Sequence, residues 1–536
     1  MNYKNKVFLT TILLTSLVSC GNKPISSSTN LPSSTIEPSS SSSISSSSSS
    51  SSSSSIEEPA PTVLPYRKLK ELNDMPTLPS TGDVNMLVIP VAFKGDKDTC
   101  NAMESSCDLV KENLHQTFFG ESNQVNGNES VSSFYKKSSY GKLNLKGEVS
   151  EVYELPRTVN EYCNLMYSRY GTSKVYDSNA FYTQLGVIEA TIINGVFGDS
   201  TSYNNINYDN DGDGLIDGVW FVYLEDYLSS NSTYVDYYEA KQQLLWAFTY
   251  WNFNSNVKLG TFGWGSYKFT VEGGYSHDSH TFIHETGHML GLYDYYDYDS
   301  QAANPTGGLD MMDYNVLDHD AYSKYILDWT TPTYINEEGT YTLKPFQENG
   351  QFLLLNMNWN KTYYDKYLLL EYYTPTGLNR FDTENTDNKY LHGFTENGVK
   401  AYLVDSRVGA IILNGMSDKK GTWDKNFYYD FDESSFTISI TYDLIYSNTP
   451  SRSYDGNVTT WKPHPLIRLL EATGNNRFVV PGNQQTADNS TLFQEGDSIS
   501  SSLNMYNDET LGFNISFGKC TDEGVTITIT KWSTWS

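Results

Sequence analysis

The stretch His280–Asp294 reads HTFIHETGHMLGLYD, and the rest of the chain is best read outward from it. It contains His284-Glu285-Thr286-Gly287-His288; on a helix, the i, i+4 spacing sets both imidazoles on one face, one turn apart. Two ring nitrogens can then grip one ion. Glu285, beside the first of them, reaches a water at that ion without being a ligand itself. The motif continues as HExxHxxGxxD. Gly291 can take a positive φ, so the chain can leave the helix, turn sharply and bring Asp294 back as a third ligand. The pattern points to one catalytic zinc on His284, His288 and Asp294, with Glu285 as general base. His280 is one turn ahead of His284, too far along the helix axis to join that set. His277, His319 and His392 read as structural or surface residues that could at most assist an oxyanion.

A second feature follows at Gly307-Gly308-Leu309-Asp310-Met311-Met312-Asp313-Tyr314, a glycine-rich turn carrying methionine, with tyrosine two residues after Met312. It resembles the Met-turn of metzincin peptidases. That resemblance implies that Met312 packs beneath the metal, with Met311 as an adjacent competitor, and that Tyr314 stabilises the developing oxyanion. Further stretches, MLVIPVAF, SVSSFYKKSSYGKLNLKGEV, YDNDGDGLIDGVWFVY, HETGHMLGLYD, GGLDMMDY and HDAYSKYILDW, run in order through about residues 84 to 330. Together with YLLLEYY and GVKAYLVDSR beyond them, they are similar to the immune inhibitor A family of secreted bacterial zinc peptidases. The family implies an endopeptidase acting on proteins or peptides, with one catalytic zinc and often structural calcium.

Asp209-Asn210-Asp211-Gly212-Asp213-Gly214-Leu215-Ile216-Asp217 places acids at positions 1, 3, 5 and 9 of a loop with glycine at 6. This is the oxygen spacing that wraps Ca²⁺, with the Leu215 carbonyl at position 7, although position 12 is Trp220 rather than glutamate. The expectation is a calcium loop of reduced ligand count, formed by Asp209, Asp211, Asp213, Leu215 and Asp217; the alternative is a plain Asp/Gly turn.

At the N-terminus Lys4 and Lys6 precede the apolar run Val7 to Val18, which is too short to span a bilayer, and Cys20 follows at once. The arrangement resembles a bacterial lipoprotein signal, which implies that Cys20 becomes the lipidated first residue of an extracellular, membrane-anchored protein. Serine then fills nearly every position from Ser39 to Ser55, with scattered prolines, so no core can form there. A flexible tether of about 45 residues reaches roughly 35 to 40 Å. Four further cysteines, Cys100, Cys107, Cys163 and Cys520, allow three pairings. Cys100 with Cys107 closes the shortest loop, and free buried thiols are equally compatible. A net charge of −28, from 36 basic against 64 acidic residues, argues against a nucleic-acid partner.

With 38% apolar and 14% aromatic residues, most of the chain can bury a core, and 536 residues exceed what one core usually organises. Val84–Phe93, Leu143–Val152, Val219–Tyr223, Leu244–Tyr250 and Lys268–Glu272 read as strands. Ser130 should cap a helix ending at Gly141, and Ser178 a longer one with Phe181, Leu185, Ile188 and Ile192 on one face. After residue 335 helical periodicity gives way to strands at Phe352–Leu355, Tyr367–Tyr372, Val399–Val404, Phe436–Tyr442 and Val525–Ile529. The expected class is α+β. Residues 1–20 form the signal and 21–80 a disordered linker; 81–335 form a metzincin-like catalytic domain of mixed sheet plus active-site helix, and 336–536 a β-rich domain. Two alternatives stay open: a catalytically silent adhesin on a peptidase-like fold, and a zinc peptidase with a distant glutamate as third ligand.

Overall fold

The computed structural model describes residues 77–95, 100, 104, 106–121, 129–170, 173–198, 205–227, 238–251, 258–271, 277–296, 304–384, 390–406, 408–413, 421–424, 440–444, 465–480, 485–505 and 509–531. The signal, Cys20, the linker up to residue 76 and residues 436–439 lie outside them. The described residues all lie in one compact unit, within Leu64–Ser536.

The run MLVIPVAF falls in the strand Gly82–Ala92, buried continuously from Met86 onward. Leu143–Val149 pairs with it in parallel on one side and Val219–Tyr223 on the other, with Leu87 opposite Val219. Thr261–Ser266 extends the sheet in parallel, and Phe248–Trp251 ends it as an antiparallel strand. Central parallel strands covered on both faces need continuous rather than alternating apolar residues, which VWFVY at Val219–Tyr223 supplies. The helix Val131–Ser138 packs nearby and starts in a reciprocal capping box: the Ser130 hydroxyl accepts from the Ser133 amide, and Ser133 returns the bond. Its chain leaves through Gly141 at φ +78°.

Three expected elements are corrected. The helix Ser178–Val196 is capped by Asp177, not Ser178, because the Asp177 carboxylate accepts from the Asn179 and Ala180 amides. Its face of Phe181, Leu185, Ile188 and Ile192 is buried as expected. The run 244–250 is divided, since Leu244 and Leu245 end the helix Tyr238–Leu245 and only Phe248–Trp251 is strand. The strand expected at Lys268–Glu272 is absent over its described residues, since Tyr267–Val271 is a 3₁₀ turn, and the strand is the preceding TFGWGS, Thr261–Ser266. Glycine weakens strand propensity, but at Gly263 a side chain would collide with the Trp220 ring on the neighbouring strand.

Beyond residue 335, Phe352–Leu355, Lys366–Tyr373 and Gly398–Asp405 lie in a five-stranded sheet, and Val525–Lys531 in a four-stranded one. Leu368, Leu370, Tyr372, Val399 and Leu403 meet Phe513, Ile515, Ile527 and Ile529 in a shared core. The alternate residues are buried too: Glu371 accepts from the Ala321 amide at 2.7 Å and pairs with Lys400 at 3.1 Å. The five-stranded sheet is therefore covered on both faces, by the second sheet and by the helix Ala321–Ile326. The described residues on both sides of the boundary expected at 335/336 lie within the one unit Leu64–Ser536. Two short helices, Phe346–Asn349 and Arg380–Glu384, are too brief to show periodicity in the sequence. Cys100 and Cys107 form a disulfide, while Cys163 and Cys520 are free. No helix among the described residues is long and apolar enough to cross a membrane.

Ser130 is buried, accepts from the Ser133 amide at 3.0 Å and donates to the Gly120 carbonyl at 2.6 Å. Ser130→Ala should cost about 1–2 kcal/mol, read as a lower urea midpoint at unchanged m. An unshifted midpoint would show that the cap contributes nothing.

Candidate metal centre

The helix His280–Met289 is buried along its whole length, so its polar side chains must find partners inside the protein. It ends in a double C-terminal lock: the Gly291 amide donates to the His288 carbonyl at 2.8 Å and the Leu292 amide to the Gly287 carbonyl at 3.0 Å. Gly291 sits at φ +101°, the conformation this ending requires. The chain then doubles back and delivers Asp294, 2% exposed, to the two histidines.

Three donor atoms converge there. His284 Nε2 lies 2.9 Å and His288 Nε2 3.2 Å from Asp294 Oδ1, and the two Nε2 atoms are 3.2 Å apart. Each ring is fixed from behind, His284 Nδ1 by the Met311 carbonyl at 2.7 Å and His288 Nδ1 by the Leu292 carbonyl at 2.8 Å. A carbonyl only accepts, so Nδ1 carries a proton in both rings, and each Nε2, facing the other and a carboxylate, is left for a second proton or for a metal ion. The three donors form a group that could hold a metal ion. Tetrahedral zinc bonded at about 2.0–2.2 Å would put its ligands about 3.3–3.5 Å apart, so the set fits it after opening by a few tenths of an ångström. Burial opposes charge on His288, but the Asp294 carboxylate outweighs it and raises the imidazole to about 9. Against burial as well, the two imidazoles hold Asp294 well below the usual carboxylate range.

Glu285 is buried beside these groups; burial pushes its carboxyl upward and the neighbouring imidazoles partly offset this. Its backbone carbonyl accepts from the Thr249 hydroxyl at 2.6 Å, tying the last strand of the sheet to the site helix. From the other side, the Tyr135 hydroxyl donates to the Ile283 carbonyl at 2.7 Å.

Both methionines of the turn Gly307–Tyr314 serve the site, in different ways. Met311 offers its carbonyl to His284, whereas the Met312 side chain packs on Gly287, where an added Cβ would come within 2.5 Å of its Sδ. The Met312 carbonyl also accepts from the Tyr295 amide, next to Asp294, at 2.8 Å. Asp310 caps the short helix Met311–Tyr314, and the Asp313 carboxylate accepts from the Thr306 hydroxyl and the Gly308 amide. Tyr314 ends that helix half-buried, its ring against Gly308.

The acidic loop is a separate cluster. Carboxylate oxygens of Asp209, Asp211, Asp213 and Asp217 lie within 4.8 Å of one another, with Gly212 and Gly214 at φ +79° and +91°. The Leu215 amide donates to Asp213 at 2.8 Å. Asp217 is buried, its Oδ2 has no hydrogen-bond partner among the described residues, and burial, then Asp211 and Asp213, push its carboxyl up to about 8. Four crowded acids, one of them resisting ionisation, fit a hard cation with oxygen ligands.

His280 takes no part in the ligand set. Its Nδ1 lies 2.8 Å from Asp278 Oδ1 and its Nε2 3.0 Å from Asp382 Oδ1. Burial lowers this imidazole, but the two carboxylates prevail and raise it to about 10. Neither protein-family models nor curated proteins match the chain.

A histidine raised from the ordinary 6.5 to about 10 stabilises the fold fully below about 6.5, and that contribution is lost as pH rises through about 10. The thermal midpoint should therefore fall across that interval, and His280→Gln, less stable at neutral pH, should flatten the decline. Parallel curves for the two proteins would rule out the charged pairing.

Proposed function

We propose that the chain is an extracellular zinc-dependent endopeptidase of metzincin-like fold, similar to the immune inhibitor A family, and held at a membrane by a lipidated Cys20. The observation that carries this reading is the convergence of His284 Nε2, His288 Nε2 and Asp294 Oδ1 within 3.2 Å beside Glu285. His284, His288 and Asp294 would hold a zinc ion, which would supply Lewis acidity towards a substrate carbonyl and towards a water that gives up a proton near neutral pH. Glu285 takes that proton and returns it to the leaving amine; a carboxyl pushed upward by burial suits both steps. Tyr314 stabilises the developing oxyanion. The strand Phe248–Trp251, last in its sheet among the described residues and joined to the site helix through Thr249, offers its edge to an extended substrate backbone. Asp209, Asp211, Asp213 and Asp217, with the Leu215 carbonyl, would hold a calcium ion, which would brace the loop that enters the strand Val219–Tyr223.

The test uses the mature chain with Cys20→Ser, assayed for zinc content and for cleavage of an unfolded protein with and without chelator. The parent should hold about one zinc and cleave only without chelator. Glu285→Gln should keep zinc and lose about 10²–10⁴-fold in turnover. Asp294→Ala should lose zinc and activity together, and Tyr314→Phe should keep zinc with kcat about ten- to a thousand-fold lower. A folded, zinc-loaded parent that cleaves nothing would instead support the silent-adhesin reading.

Calcium should raise the thermal midpoint by binding only the folded state, and Asp211→Ala should erase most of the increment. A calcium response equal to the parent's would return the loop to a plain turn.

A further inference from the structure

Outside the ligand set, His280 lies between two carboxylates. His280, Asp278 and Asp382 are all buried, at 6%, 0% and 3% exposure. Each ring nitrogen of His280 faces a carboxylate oxygen within 3.0 Å, and only the doubly protonated imidazolium has a hydrogen for both. The remaining oxygens are engaged too. Asp278 Oδ2 accepts from the Tyr390 hydroxyl at 3.0 Å, with the Tyr390 ring stacked 4.3 Å from that of His280. Asp382 Oδ2 accepts from the Leu317 amide at 2.6 Å.

Asp382 thus has one oxygen on each of two segments. His280 lies in the first turn of the site helix, one turn ahead of His284 on the same face. Leu317 is three residues after Tyr314, in a chain that leaves the short helix through two left-handed residues, Asn315 at φ +60° and Leu317 at φ +66°. A bulky leucine keeps that conformation only where its surroundings over-determine it. Here Asp382 holds the Leu317 amide, and Asn379, from the same stretch of chain, accepts from the Asp318 amide at 3.0 Å. Neither acceptor belongs to the motif or to the segment between residues 84 and 330.

We propose that Asp382 is a positioning residue: through His280 and Leu317 it sets the spacing between the helix that carries the metal ligands and the segment that carries Tyr314. The β-rich part thereby controls turnover without touching the metal or substrate. This rests on the zinc-peptidase reading for its effect on rate, but not for its effect on the backbone. His284 and His288 keep their own carbonyl partners, Met311 and Leu292, so zinc should stay when Asp382 is changed.

The experiment compares the parent, Asp382→Ala and Asp382→Asn, all as the mature Cys20→Ser chain. It measures zinc content, kcat and KM on the unfolded protein substrate, and amide hydrogen exchange at Leu317 and Asp318. Asp382→Ala should keep one zinc per chain, lower kcat about ten- to a hundred-fold with KM within about twofold, and speed exchange at both amides. Asp382→Asn, whose amide oxygen can still accept from Leu317, should recover part of kcat and of the protection. If Asp382→Ala does not fold, Asp382→Asn decides, since kcat and exchange both equal to the parent's would overturn the proposal. Loss of zinc in step with activity would overturn it as well, placing Asp382 among the supports of the ligand set. A parent without chelator-sensitive cleavage would sink the peptidase reading; the positioning role would then stand or fall on Leu317 exchange alone.

Discussion

Two imidazole Nε2 atoms and a carboxylate oxygen, gathered within 3.2 Å in a buried place, need positive charge among them, as a ring proton or as a bound cation. Much of the surrounding architecture can be understood as what holds that arrangement together. The rings cannot rotate away, because the Met311 and Leu292 carbonyls fix their rear nitrogens. The ligand turn cannot swing out, because the Tyr295 amide is bonded to the Met312 carbonyl and the helix terminus is locked at Gly291. The helix itself is gripped through its backbone, by Tyr135 at Ile283 and by Thr249 at Glu285. Pre-organisation of this kind is what a catalytic metal site needs, since movements of about 1 Å at a reacting centre can cost about a hundredfold in rate.

The glycines and aspartates of the turn Gly307–Tyr314 belong to the same constraint. Gly287 has no side chain because Met312 occupies the space a Cβ would need, so the small residue inside HETGH is explained by the methionine 25 positions later. Asp310 and Asp313 spend their carboxylates on amides and a hydroxyl of the turn. The methionine is thereby held at a fixed height beneath the helix.

What was legible in the sequence is what is local. The i, i+4 histidines, the glycine that ends their helix and the aspartate three residues later obey helix geometry, and the structure brings those residues together. The acidic loop was legible for the same reason, since its spacing is a property of nine consecutive residues. The strand Thr261–Ser266 was not, because its glycines answer to the Trp220 ring on a neighbouring strand. The apolar run 244–250 likewise has one composition but two conformations. His280 could be excluded as a ligand from axial distance, yet its actual partner, Asp382, is 102 residues away and carries no periodic or motif signal. Backbone acceptors such as Met311 and Leu292 leave no trace in residue type.

The β-rich region also looks different once burial is counted strand by strand. In Lys366–Tyr373 and Gly398–Asp405 every residue is buried, a pattern expected of a sheet covered on both faces rather than of a domain with one solvated side. One face meets the second sheet. The other carries Glu371, paired with Lys400 and bonded to the Ala321 amide where the helix Ala321–Ile326 begins. Removing the chain beyond residue 335 would uncover the helix Ala321–Ile326 and take away the acceptors of the Ala321 amide, the Leu317 amide and one of the two ring nitrogens of His280. The segment that carries HExxHxxGxxD therefore has physical reason not to stand alone, even though every residue of the motif lies before residue 335.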